Sequence, residues 1–441
     1  MMRKVVSAAI TVALAASLVV GGAIVLRPGG EGPAARGSTP LPEAAALLAH
    51  QGGLEAQIAA LQERLREVPG DWRGFAALGI AYVAQARTTG DPSLYPKAEG
   101  VLATSIRLHA EDNEDGLLGL GALALARHDF DGALRFGRRA SEADQFGADA
   151  YGVIGDALLE LGRYGEAFDA FQTMVDTRPD LASYARASYA RELQGDVRGA
   201  VRAMTLAFDA AATPGDAAWA AYQLGELAFG SGDVSGAASW YRRGLELDPA
   251  FVPNLAGTAK VAWSRGDDRL AIERYREVTA RYPSPEFVVA LADLYRVTGR
   301  DDLADEQEAV VRALHELADG NGVNADLELA VFDADHGEER GALVAARAEW
   351  SRRRSVHVAD ALAWALYANG RYGPAATFAD RALRLGTENA TFLFHAGMIR
   401  LALGDQEEAR ALLRRAVAVN PNFSILHADT AERVLARLGD A

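Results

Sequence analysis

The chain is expected to be all-α, a solenoid of about ten helix–turn–helix repeats. Three observations predict this. An Ala opens a second helix at Ala98, Ala133, Ala167, Ala200, Ala237, Ala271, Ala304, Ala342, Ala375 and Ala409, with successive gaps of 35, 34, 33, 37, 34, 33, 38, 33 and 34 residues. Gly162, Gly195, Gly232, Gly266, Gly299, Gly337, Gly370 and Gly404 each stand five residues before one of these alanines, and His128 takes that place before Ala133. Apolar residues between these marks fall at helical spacing. A period near 34 that persists along the whole body does not arise from a generic helical bundle.

Composition agrees. Half of the 441 residues are hydrophobic, so burial is not limiting. Aromatic residues make up only 8% and Ala is abundant, which lets helices approach closely. Lys4, Lys97 and Lys260 are the only lysines; with so much Ala and Gly, the Arg bias points to a GC-rich bacterial genome. With no cysteine, the chain excludes disulfides, thiolate zinc sites, iron–sulfur clusters, cysteine nucleophiles and a lipidated N-terminal Cys. The formal charge is −15, and without residues 1–36 the chain carries 41 basic and 59 acidic residues, or −18. Phosphate backbones would repel such a body, so nucleic acid is not an expected partner.

The N-terminus reads as an address. Arg3 and Lys4 precede residues 5–26, 22 residues without a charge. At about 1.5 Å per residue that length crosses a bilayer core of roughly 30 Å. Residues 1–26 are therefore expected to form a signal-anchor or transmembrane helix. The alternative is a signal peptide cut after Ala23, with Gly21 at suitable spacing. Either way Arg3 and Lys4 stay cytoplasmic and the body lies outside, membrane-anchored or secreted. Residues 27–42, rich in Pro, Gly and small polar side chains, read as a flexible linker.

Residues 43–70 form an expected N-terminal helix with Ile58, Leu61 and Leu65 on one stripe. The repeats occupy residues 71–422. Their clearest unit begins at Ala150: Tyr151, Ile154, Gly155 and Leu158 share a face, Gly162 turns the chain, Ala167, Phe171 and Met174 form the facing stripe, and Pro179 blocks extension. A left-handed glycine cap explains the turn. Residues 423–441 read as a capping helix, with Ile425, Leu426, Val434 and Leu435 inward, covering the apolar end of the stack.

This pattern resembles the tetratricopeptide consensus, in which a bulky residue, Leu-Gly, Tyr, then Ala, an aromatic, Ala and Pro recur at set offsets. Leu78-Gly79 with Tyr82, Leu120-Gly121 and Leu224-Gly225 keep its first-helix pair. Tyr241 with Pro249, Tyr275 with Pro283, and Leu413 with Ala416 and Pro421 keep the end of its second helix. The resemblance implies a right-handed superhelix of tetratricopeptide-type repeats whose first helices line the concave face. The first copy departs from it by extra residues around Arg87–Pro96, and the copies from 285 and 323 are the least regular. In the latter, Trp350–Ser355 (WSRRRS) replaces the aromatic and the terminal Pro. The general plan is similar to bacterial membrane-anchored tetratricopeptide-repeat proteins that assist envelope assembly, including assembly factors of cytochrome c maturation.

No catalytic or metal-binding pattern emerges. The eight histidines are scattered, and His315-Glu316 has Asp319 where a zinc helix needs His. Asp333-Ala-Asp335-His-Gly337 lacks the later ligands of a calcium loop, and its Gly is already the repeat turn. Gly119-Leu-Gly121 lies inside a helix without a preceding strand, so it cannot cradle a phosphate. No metal, cofactor or catalytic residue is therefore expected. Counting outward positions on the first helices places Tyr189, Glu192, Trp219, Tyr222, Glu226, Phe229, Lys260, Trp263, Asp293, Arg296, Asp360, Trp364 and Tyr367 towards the groove. Rigid aromatics beside a few charges suit peptide binding: apolar area at low entropy cost, with polar groups fixing register. Rings packed between neighbouring repeats are the alternative. The expected function is a non-catalytic, envelope-associated scaffold for a protein or peptide partner. A self-assembling structural subunit, and an enzyme with an unrecognised site, are the other readings.

Overall fold

The computed structural model describes residues 43–439. The expected membrane segment and linker, residues 1–42, lie outside them. Among the described residues there are 22 helices and no strand, and no helix is long and apolar enough to cross a membrane.

Helix α1 (Glu43–Glu67) precedes ten antiparallel pairs. These are α2 (Trp72–Thr89) with α3 (Leu94–Leu108), α4 (Glu114–Ala126) with α5 (Phe130–Ala143), and α6 (Ala148–Glu160) with α7 (Tyr164–Thr177). Next come α8 (Leu181–Leu193) with α9 (Val197–Asp209), α10 (Pro214–Gly230) with α11 (Val234–Leu247), and α12 (Val252–Ser264) with α13 (Asp268–Arg281). The series closes with α14 (Pro285–Val297) and α15 (Asp301–Gly320), α16 (Asp326–Asp335) and α17 (Glu339–Arg352), α18 (Val356–Ala368) and α19 (Tyr372–Ala382), and α20 (Ala390–Ala402) and α21 (Gln406–Val419). Helix α22 (Ala428–Gly439) ends the stack, with Val434 and Leu435 packed on the last repeats. Ile58, Leu61 and Leu65 of α1 are buried against the first pair.

Each repeat is held by the features that mark it in the sequence. All ten repeat alanines are 0% exposed, because the two helices cross there too closely for a larger side chain. The eight turn glycines have φ between +70° and +85°, the left-handed cap that ends a first helix. An Asp often follows and caps the second helix: Asp196 Oδ1 accepts from the Gly199 N–H at 2.8 Å, and Asp233 does the same for Gly236.

The solenoid closes on itself. Partners 192 to 196 residues apart touch directly, which at a 34-residue period is about six repeats per superhelical turn. The Arg354 N–H donates to the Glu160 carbonyl at 2.9 Å, the Val356 N–H to the Tyr164 hydroxyl at 2.7 Å, and the Tyr282 hydroxyl to the Arg87 carbonyl at 3.3 Å.

This seam accounts for two departures from the repeat pattern. His128 replaces the turn glycine and adopts φ +58° because its Nδ1 pairs with the Asn324 carbonyl of the next superhelical turn at 2.5 Å. Arg354 stands twelve residues after Ala342, where other copies carry Pro; a Pro there would have no N–H for Glu160. Beside it Arg353, 3% exposed, pairs with Glu349 and with Glu160 at 3.3 Å, and its guanidinium lies 5.3 Å from the centre of the Phe130 ring.

Candidate functional site

The inner helices line a half-open cavity of about 620 Å³. Its wall is built chiefly by α8, α10, α12, α14 and α16, the first helices of five consecutive repeats. The next superhelical turn supplies most of the rest, through residues 387–391 and His395 around the start of α20 and residues 418–427 between α21 and α22.

The lining is acidic. Glu192, Glu226, Glu286, Asp293, Asp335 and Glu388 face Lys260, His395 and His427. Glu226 is the hub: it accepts from the Tyr241 hydroxyl at 2.6 Å and from Lys260 Nζ at 2.7 and 2.9 Å. Tyr241 reaches it because Gly225 leaves room for the ring; a Cβ there would lie 2.3 Å from Tyr241 Cε1. Lys260 Nζ also lies 5.2 Å from the centre of the Phe229 ring. Burial alone would lower the Lys260 pKa, but the charges of Glu226 and Glu286 raise it, so the ammonium is firmly charged. Burial and the Glu226 charge push the Glu192 carboxyl up to about 7.

A second group of ionisable residues stands behind the lower wall. Asp293 accepts from His336 Nε2 at 3.0 Å. Burial opposes a charge on His336, yet this bond and the Asp293 carboxylate raise its pKa above the ordinary value. Asp335 accepts from Trp364 Nε1 at 2.7 Å and from His427 Nε2 at 2.9 Å. Burial would raise the Asp335 carboxyl, but the bond and charge of His427 hold it below the usual range. Asp360 pairs with His395 Nδ1 at 2.9 Å, and the Trp364 ring is stacked between His395 and Tyr367 at 4.1 and 4.7 Å. Among the described residues no group of three or more His, Cys, Asp or Glu side chains is arranged to hold a metal ion.

Of the thirteen residues expected to face the groove, the cavity brings together Glu192, Glu226, Phe229, Lys260, Trp263 and Asp293. The others fall elsewhere. Tyr189, Asp360 and Trp364 are 6, 5 and 6% exposed: Tyr189 lies beside His357 of the next superhelical turn, whereas Asp360 and Trp364 are covered by neighbouring repeats, through His395, Asp335, Tyr367 and His427. Trp219 packs within the cluster formed by α8, α9 and α10, Tyr222 lies between Tyr241 and Phe251, and Tyr367 contacts Trp364 and Tyr372. Arg296 is tied across its own repeat turn to Asp301, Asp305 and Glu308. Sequence reasoning missed Glu286, Asp335, His395 and His427. Glu286 lies in the first turn of α14, about two turns before Asp293, the first outward position counted there. His395 and His427 belong to the second superhelical turn, which nothing local in the sequence announces.

Residues 118–182, 257–320 and 361–422 match the family model described as tetratricopeptide repeat. No curated protein matches the chain significantly. Similar solved structures include the APC/C hetero-tetramer Cut9–Hcn1, at 14% identity over 89% of this chain and 95% of that one, with a TM-score of 0.38. The human IFIT1 dimer with PPP-AAAA is 13% identical over 85% and 88% of the two chains, with a TM-score of 0.47. Yeast Tom70 is 11% identical over 90% and 94%, with a TM-score of 0.33.

Proposed function

We propose that this chain, a carrier of tetratricopeptide repeats, is a non-catalytic scaffold that holds a peptide or protein partner on its inner face. Such repeats generally serve as protein-interaction surfaces, because a stack displays an extended curved wall. The observation that carries the reading is the cavity itself. Its 620 Å³ lies in the range of recognition sites, and its wall sets the Trp263 and Phe229 rings beside fixed charges. Because the superhelical turns are in contact, the occupant of this reading is an extended segment or a projecting side chain of the partner and not a folded domain. The uncharged stretch at residues 5–26 supports membrane attachment in a bacterial envelope, with the body extracytoplasmic.

The test is site-specific photo-crosslinking in intact cells. Benzoyl-phenylalanine at position 263 keeps an aromatic in the wall, and the same group at Val344, 71% exposed on a second helix, samples the outer surface. A partner captured from 263 and not from 344 supports the reading. Capture from 344 alone would move the partner to the outside of the stack.

A further inference from the structure

The cavity wall also specifies the chemistry of its occupant. Six carboxylates line it against one lysine. Four of the six have a cationic or hydrogen-bonding partner: Glu226 has Lys260, Asp293 has His336, Asp335 has His427, and Glu388 has Arg415. Glu192 and Glu286 have neither an ion pair nor a side-chain hydrogen bond among the described residues. Desolvation raises both carboxyls; for Glu192, half-buried, the charge of Glu226 adds to it, whereas Glu286 keeps an exposed side chain and the Lys260 charge opposes the shift. A carboxylate in that position gains most from a cation brought to it.

A further feature points the same way. The protein itself shows how this wall treats a cation. The Lys260 ammonium is held by both oxygens of Glu226 with the Phe229 ring beside it, and the Trp263 ring lines the same space.

We propose that the partner segment held in this cavity is basic, an extended peptide that inserts a Lys or Arg side chain between Glu192, Glu286 and the Trp263 ring. The inference rests on the inner-face binding reading above and narrows it to one charge class. Cavity size limits the inserted part to a few residues, so specificity lies in the cation and the chain beside it.

The experiment titrates the full chain with blocked tetrapeptides of equal length, rich in lysine, glutamate or serine, and separately with spermidine, following binding by calorimetry. The lysine peptide is expected to bind best, and more weakly as salt rises. Glu192→Gln is expected to weaken it by at least about tenfold, since it removes a half-buried, unpaired partner of the inserted charge, and Glu286→Gln, at an exposed carboxylate, by about threefold. Circular dichroism keeps the variants honest: Glu192 has no partner to lose, so Glu192→Gln leaves the fold intact. Equal affinity for lysine and serine peptides, or no effect of either substitution, would overturn the proposal. So would binding of spermidine with no binding of the lysine peptide. If the serine or glutamate peptide binds best and Trp263→Ala abolishes it, the inner-face reading stands and the basic occupant falls. If no peptide binds, both fall.

Discussion

Gly195 and Gly299 occupy the same place in their repeats and adopt nearly the same backbone, φ +75° and +72°. They differ in what surrounds them. A Cβ at Gly299 meets nothing within 4 Å, whereas one at Gly195 would lie 2.4 Å from the Gly386 carbonyl oxygen of the next superhelical turn. Unbonded heavy atoms ordinarily rest about 3.5 Å apart, so the neighbouring backbone would have to move by about 1 Å. Gly299→Ala therefore carries only the left-handed penalty, about 1–2 kcal/mol. Gly195→Ala carries that penalty and an overpacking term of about 1–3 kcal/mol, or about 2–5 kcal/mol together. Urea denaturation followed by circular dichroism gives the two values, and hydrogen exchange at residues 384–390 reports whether the second turn loosens with Gly195→Ala alone. Equal losses for both variants, with unchanged exchange at 384–390, would refute the packing of one superhelical turn on the other.

Three further outcomes follow from the same structure. Burial and the Arg353 charge lower His128 to about 4, while the unfolded side chain titrates near 6.5. The unfolded chain then holds the extra proton between those values, so stability falls by up to about 3 kcal/mol as pH drops from 6.5 to 4. His128→Asn tolerates the positive φ and should flatten that slope in urea titrations; an unchanged slope would contradict the assignment. Glu192 is shifted the other way, so its contribution is full below the unfolded carboxyl value near 4.5 and is lost as pH rises through about 7. Glu192→Gln should raise stability at pH 8 by about 1–2 kcal/mol and leave it unchanged at pH 4.5, and a variant no more stable at pH 8 would count against it. For topology, an export-dependent reporter fused to the C-terminus should be active, and Asp substitutions within residues 5–26, each opposing insertion by about 2.5–3.5 kcal/mol, should silence it. Labelling of the C-terminus from the cytoplasmic side only would contradict that orientation.

The repeat architecture was legible because its determinants are local. A helix crossing needs Ala, a left-handed cap needs Gly, and both recur at fixed offsets; Ala98 to Ala409 are all fully buried, and the turn glycines from Gly162 to Gly404 all have positive φ. The wall residues of α8 to α14 were legible for the same reason, since Glu226, Lys260 and Asp293 share one place on successive first helices, six residues before the turn glycine, and Glu192 and Trp263 share another, three before it. What local spacing could not show was closure. Contacts such as His128 with Asn324 and Tyr164 with Val356 join residues more than 190 apart, and the same closure covers Tyr189 while delivering His395 and His427 to the cavity. In hindsight the exceptions were the signal. His128 among glycines, and Arg354 where Pro recurs, mark positions whose side chain or N–H is claimed from outside the repeat.

The most direct test of the account is hydrogen exchange on the full chain with and without the partner recovered from the residue-263 crosslink. If the partner occupies the inner cavity, exchange slows in α10, α12 and α14 and in residues 387–391, while the second helices α11, α13 and α15 stay unchanged. Slowing confined to those second helices, with the cavity wall exchanging as in the free protein, would contradict it.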